Sequence, residues 1–244
     1  MPPAETSPSD LPTASHPRAW EHVLGNVENM MVSGDLLPGQ RLPSERTLAA
    51  DLGVGRSSVR EALRVMEALG LLKTQTGSGP NAGAMIVSRP TGGMTMLMRM
   101  QVAAQSFPVT DVVQTRLVLE SEVMRTLAAQ PTVDLSTAVE LLDSMDETSL
   151  TSDEFLVLDA QFHVAMADAA GNQVIAAMMA GLRASIESYV VGGVDRIAWP
   201  TTCTRLRHEH RGLVEAVTSG DADLAQQRIV DHIRGYYEGV RSKG

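Results

Sequence analysis

A chain of 244 residues with one cysteine cannot be held together by internal disulfides. Cys203 on its own fits a reducing compartment, so a cytoplasmic protein is expected. Aromatic residues make up only 3% of the chain, which argues against base-stacking platforms for single strands and against aromatic sugar clefts. No apolar run approaches the roughly 20 residues needed to cross a bilayer. The N-terminus has neither the basic nor the apolar region of a signal peptide, and no membrane partner is expected. Strand signals are scarce as well, confined to residues 71–76 and 84–88.

Acid is in excess: 29 Asp and Glu stand against 20 Lys and Arg, a net charge of -9. That balance argues at first against nucleic acid, but it is unevenly distributed. Residues 36–90 hold seven basic side chains (Arg41, Arg46, Arg56, Arg60, Arg64, Lys73, Arg89) and four acidic ones (Glu45, Asp51, Glu61, Glu67). Residues 91–244 hold 12 basic and 20 acidic side chains. Phosphate would attract the first segment and repel the second, so a two-domain protein with one end on DNA is implied.

The organisation follows from punctuation and periodicity. Residues 1–16, rich in Pro, Ser, Thr and Ala without an apolar period, read as a disordered arm. Residues 17–89 form a first domain, 90–93 a linker containing Pro90, Gly92 and Gly93, and 94–244 a second domain. In the first domain Arg18 to Ser33 is a helix with Trp20, Val23, Leu24 and Val27 on its inner face. Ser44 can cap a short helix carrying Leu48, Ala49 and Leu52. The segment Gly53-Val54-Gly55 allows only a tight turn between steeply crossed helices. Ser57 or Ser58 then opens a second helix with Val59, Ala62, Leu63, Met66 and Leu69 inward. Arg56, Arg60 and Arg64 recur every four residues on the other side. By itself such a row is an ordinary solvated face. With the turn before it and a glycine-tipped hairpin after it, it suits a recognition helix in a major groove, where Arg chelates guanine or clamps phosphate.

The runs LPSER, VGRSSVREALRVMEALGLL and TQTGSG resemble the winged helix-turn-helix of the GntR family of bacterial transcription regulators. The resemblance implies that the recognition helix begins at Arg56. It also implies that Arg46, Arg56 and Arg60 contact DNA, that Ser57 and Ser58 touch phosphate or base, and that the wing contributes the backbone of Gly77 or Gly79. The segment GSGPNAGA makes this wing longer than the shortest family pattern.

Beyond residue 93 everything reads as helix: 94–105, 110–130, 135–147, 153–170, 173–190, 200–219 and 222–241. About six to seven helices without strands make an antiparallel bundle, and the whole chain is mainly α. The methionines of this domain suit gap-filling core or a subunit interface. Asp159 and His163 lie at i and i+4 on an apolar face with Phe155, Phe162 and Met166. His210 falls in the stripe Leu206, Leu213, Val214 and Val217, and His232 in the stripe Ile229, Ile233 and Tyr236. His208 falls on the opposite face of its helix. A buried histidine usually hydrogen-bonds locally, and residues on separate helices need not converge. Three imidazoles beside one carboxylate would nevertheless make an N/O set for Zn²⁺, Ni²⁺, Mn²⁺ or Fe²⁺.

Residues 94–244 resemble the all-helical FadR-type (FCD) ligand-binding domain of GntR regulators. There an Asp-x-x-x-His pair and two further histidines ligate one divalent metal, and the matching positions here are Asp159, His163, His210 and His232. Metal-bearing members respond to small carboxylates, and acyl-CoA-binding members lack the metal set. Arg116, in an Arg-x-x-x-Glu pattern with Glu120, matches a position facing the pocket and would hold the effector's second charged end. The alternative for Arg116 is a salt bridge to Glu120 along an exposed face. The reading is therefore a homodimeric repressor on a palindromic operator in double-stranded DNA, controlled by a carboxylate anchored on the metal, Zn²⁺ being the best match. The rivals are a regulator whose metal is purely structural or itself sensed, and a metal-dependent hydrolase, for which no general base is evident.

Overall fold

The computed structural model describes residues 18–75, 83–87, 91–104, 107–191 and 199–241, and the chain divides into two compact units, 1–89 and 90–244. The arm read at 1–16 and the wing-tip residues Gly77 and Gly79 lie outside the described residues.

The first unit is a winged helix-turn-helix. Helix α1 spans Ala19–Ser33, α2 Glu45–Asp51 and α3 Arg56–Ala68; β1 spans Leu72–Gln75 and β2 Gly83–Ile86. The Ser44 side chain caps α2 by accepting from the Thr47 amide at 3.2 Å. Gly53 turns the chain with φ 63, a left-handed conformation that glycine adopts without strain. Helix α3 begins one residue before the serines expected to open it. Gly55 is its N-cap and no side chain caps it, so Ser57 and Ser58 sit inside the first turn. Val23 and Val27 of α1 pack with Leu48, Val59, Ala62, Leu63 and Met66 into one core. Leu69, expected on that inner face, lies past the helix end and is exposed. The strands pair antiparallel with Leu72 opposite Ile86 and Gln75 opposite Gly83, and Leu42 adds a bond to Ala84 O at 2.8 Å.

The second unit is an all-helical bundle. Seven helices are described: α4 Thr91–Ala103, α5 Val109–Ala129, α6 Ser136–Met145, α7 Ser152–Ala169, α8 Gln173–Val191, α9 Trp199–Thr218 and α10 Ala222–Arg241. Helix α4 starts at Thr91, so Thr91, Gly92 and Gly93 are helical rather than linker. Helix α5 starts at Val109 with Pro108 as its N-cap, one residue before the start expected at 110. Helix α5 packs on α10, α4 and α7 pack on α8, and α6 packs on α7. Phe155, Phe162, Leu127, Met179, Leu206, Leu213, Ile229 and Ile233 fill the interior. Burying such side chains is worth about 1.5–3 kcal/mol each and supplies the driving force that holds several polar groups among them.

Candidate metal centre and DNA-reading surface

Three helices bring one polar cluster into this apolar interior. Asp159 and His163 come from α7, one turn apart; His210 comes from α9 and His232 from α10. One ligand atom from each falls within 4.8 Å of all the others. The imidazole rings lie 4.8 to 5.3 Å apart between centroids. All four residues are buried, His210 completely. His208, on the outer face of α9, is exposed.

The neighbours of the cluster decide which nitrogens are free to ligate. Glu120 Oε2 lies 2.7 Å from His163 Nδ1, and Glu209 Oε2 lies 2.7 Å from His232 Nδ1. Each carboxylate fixes its imidazole with Nδ1–H outward and the Nε2 lone pair turned inward, the arrangement that orients metal-binding histidines. His163 Nε2 and both ring nitrogens of His210 are buried and find no hydrogen-bond partner among the described residues. His210 Nε2 does lie 3.0 Å from Asp159 Oδ1, but without the alignment of a hydrogen bond. A buried nitrogen left unpaired costs about 1–3 kcal/mol, and a cation shared by the lone pairs of His163 Nε2 and of one His210 nitrogen would satisfy those two, the other His210 nitrogen carrying the proton. The donor set fits a divalent ion: Asp159 Oδ1, His163 Nε2, His232 Nε2 and His210.

Electrostatics keep these groups in the protonation states that a metal requires. Burial pushes the Asp159 carboxyl up, yet Arg183 and the two neighbouring histidines hold it well below the ordinary range. Glu120 follows the same logic, with burial opposed by Arg116, Arg183 and His163. Burial, then Arg183, presses His163 well below the usual histidine value, against the pull of Glu120. His232 is lowered chiefly by burial, with Glu209 opposing. His163 and His232 are thus neutral at pH 7, with lone pairs available.

For Arg116 the structure corrects one of the two alternatives read from the sequence, the salt bridge on an exposed face. It does bond Glu120, Nε to Oε1 at 2.6 Å, but the pair is buried rather than on an exposed face. Its Nη1 donates to the Tyr237 hydroxyl at 3.2 Å. Arg183 of α8 was not singled out by sequence reasoning. It donates from Nη1 to Asp159 Oδ2 at 2.7 Å and from Nη2 to Glu120 Oε2 at 3.0 Å, so the cluster is tied into one network. The available signal was a lone cation in the otherwise apolar run IAAMMAGLRA, a position where an unpaired charge would be prohibitive. Glu209, which orients His232 and is bonded by Arg205 at 2.6 Å, was legible only as part of the run Glu209-His210-Arg211.

In the first unit Arg46, Arg56, Ser57 and Arg60 are exposed and Ser58 is half-buried. Arg56 Nη2 and Arg60 Nε lie 3.8 and 3.5 Å from Glu45 Oε2, so one carboxylate at the start of α2 gathers both guanidinium groups. Arg60 stands one turn after Arg56, opposite the stripe that α3 buries.

A winged helix-turn-helix joined in one chain to a helical bundle with a polar centre defines the class: a DNA-binding transcription regulator. Residues 20–80 match the model of the bacterial regulatory proteins of the gntR family, and residues 111–235 match the FCD domain. The chain belongs to the GntR family of bacterial transcription regulators, with an FCD domain as its second unit. It is 28% identical over 221 residues to the Glc operon transcriptional activator of Escherichia coli strain K12, covering 88% of this chain and 85% of that protein. It is 28% identical over 254 residues to the transcriptional repressor NanR of Salmonella schwarzengrund, covering 94% and 89%. A third relative, 26% identical over 219 residues and covering 88% and 84%, is an Escherichia coli K12 protein provisionally named for regulation of an L-lactate dehydrogenase operon. The solved structure of a Streptococcus agalactiae GntR protein has the same fold, with a TM-score of 0.61 at 23% identity over 90% of this chain and 99% of that one. Family membership makes the protein a DNA-binding regulator and sets aside the hydrolase reading. Among the described residues, no helix is long and apolar enough to cross a membrane.

Proposed function

We propose that the protein is a cytoplasmic, homodimeric repressor whose affinity for a palindromic operator changes when a small carboxylate enters the bundle at a divalent metal, Zn²⁺ fitting best. Arg46, Arg56, Ser57, Ser58 and Arg60, with the backbone of Gly77, would hold the operator. Asp159, His163, His210 and His232 would hold the metal. The observation that carries this reading is the convergence of four buried donors, with unpaired nitrogens, beside two buried arginines. Three nitrogens and one carboxylate oxygen suit Zn²⁺ or a neighbouring transition ion better than Ca²⁺ or Mg²⁺. A bound divalent ion would supply an electrophilic anchor for a carboxylate. Arg116 would meet the ligand's second charged end, leaving Tyr237 as it did so. A homodimer is supported by the exposed apolar face of α4, where Met94, Met96, Leu97 and Met100 offer a surface that a second copy can cover. Two recognition helices on a two-fold axis then match an inverted repeat.

One observation favours a purely structural metal: Arg116 and Arg183 already have carboxylate partners, so neither needs an effector to be satisfied. The two readings separate by linkage. A thermal-shift panel of hydroxy acids, keto acids, sugar acids and dicarboxylates should give hits only with metal present. Hundredfold excess over Kd should then add about 2.7 kcal/mol of stability. Asp159→Ala should abolish every hit, and Arg116→Ala should weaken dicarboxylates more than monocarboxylates. A shift that survives complete metal removal leaves the ion a structural staple only.

A further inference from the structure

Glu45 is the acidic residue of the run LPSER, and the core of the first unit fixes its place. It opens α2, where the Ser44 cap sets the helix start and Leu48, about one turn on, is buried. Arg56 opens α3 and Arg60 stands one turn later, with Val59 and Leu63 buried behind them. Both helices are locked into one core, so a carboxylate on the first is held against two guanidinium groups on the second. Glu45 Oε2 lies 3.5 Å from Arg60 Nε and 3.8 Å from Arg56 Nη2. The carboxylate is half-buried, while both arginines are exposed.

A negative charge on a face that approaches phosphate lowers affinity for every duplex alike. Its presence between two arginines has a compensating effect. An exposed arginine samples many rotamers, and fixing it on binding weakens the complex. Glu45 gathers two such side chains before DNA arrives and competes with phosphate for them. It meets Arg60 at Nε, so the two terminal nitrogens stay clear of this carboxylate for the bidentate grip by which arginine reads guanine. We propose that Glu45 is a positioning residue for sequence reading: it withholds Arg56 and Arg60 from phosphate and orients them toward base edges. It lowers general affinity for DNA and raises discrimination between sequences. This rests on the reading of Arg56 and Arg60 as operator contacts.

The full-length protein tests this on two duplexes: the sequence that it enriches most strongly from a randomised library, and a scrambled version of that sequence. Fluorescence anisotropy across a salt series gives the affinity for each. Glu45→Gln removes the charge and keeps the shape. It should bind the scrambled duplex about threefold more tightly, with a steeper salt dependence. Its preference for the enriched sequence should fall about tenfold, within the range that one bidentate arginine contact supplies. Glu45→Ala should move both readouts in the same direction, so the test stands if one variant fails to fold. In an Arg56→Ala or an Arg60→Ala background the loss of preference on Glu45→Gln should shrink to about threefold or less, because one partner is gone. An unchanged preference, or equal weakening on both duplexes, would overturn the proposal and leave Glu45 a residue that only favours the start of α2. A loss undiminished in both arginine backgrounds would also overturn it, since the carboxylate would then accept from a cytosine itself. Arg60→Ala by itself separates the proposal from the reading beneath it. No loss on either duplex, or a library from which the unmodified protein enriches nothing, removes α3 from the groove and the proposal with it.

Discussion

His208 and His210 stand two residues apart on α9 in opposite surroundings, one in solvent and the other with no exposed surface. Helical geometry alone imposes that contrast, because two residues span about 200° of the turn. His210→Ala and His232→Ala should therefore each lose bound metal while His208→Ala keeps it, as read by elemental analysis of the purified variants. Metal retained in both inward variants would remove the four-donor centre. On the DNA side, Arg60 offers its guanidinium from the exposed face of α3. Arg60→Ala should weaken operator binding by about 1–3 kcal/mol, with less effect on random DNA. An equal loss on both would make Arg60 a phosphate contact. At this scale the histidines and Asp159 were legible because each shares an apolar stripe with its neighbours. Arg183 was not, since its partners lie 24 and 63 residues away.

Helix α7 carries two of the four donors, and its start is fixed by a reciprocal cap. Thr151 Oγ1 accepts from the Glu154 amide at 3.3 Å, and the Glu154 carboxylate accepts from the Thr151 amide at 2.8 Å. Thr151→Ala should cost about 1 kcal/mol of bundle stability, measured as a lower urea midpoint with unchanged slope. A fall beyond about 3 kcal/mol would mean that the residue does more than cap. Element existence followed from period and punctuation, while boundaries moved by a residue or more at α3, α4 and α5. In each case the backbone settled the matter. Gly55 caps α3 with no side chain, Pro108 precedes α5, and the glycines after Thr91 were absorbed into a helix packed on α8.

For the whole molecule the buried ionisable groups set the response to acid. His163 and His232 have folded values below the ordinary 6.5, so the unfolded chain takes up protons first as pH falls. Their contribution is fully present above about pH 6.5 and declines below it. Glu120 and Asp159 are held below the ordinary 4.5 and 3.8, so their contribution follows at still lower pH. Both groups act in the same direction. The metal-free protein should lose stability monotonically from pH 7 to pH 4, read as a falling urea midpoint. A midpoint that rises on acidification would contradict neutral buried imidazoles.

The sequence by itself determined the two-domain plan, the helix-turn-helix and the inward face of each helix, because these depend on spacing and turn chemistry within about twenty residues. It also placed Asp159, His163, His210 and His232 on inward faces, though spacing alone could not bring three helices together. Only the tertiary structure decided that the four donors share one centre, that Glu120 and Glu209 turn the imidazoles toward it, and that Arg183 ties Asp159 to Glu120 beside it. Those relations depend on helices far apart in the chain meeting in the bundle, where burial makes an unpaired charge too costly to leave alone.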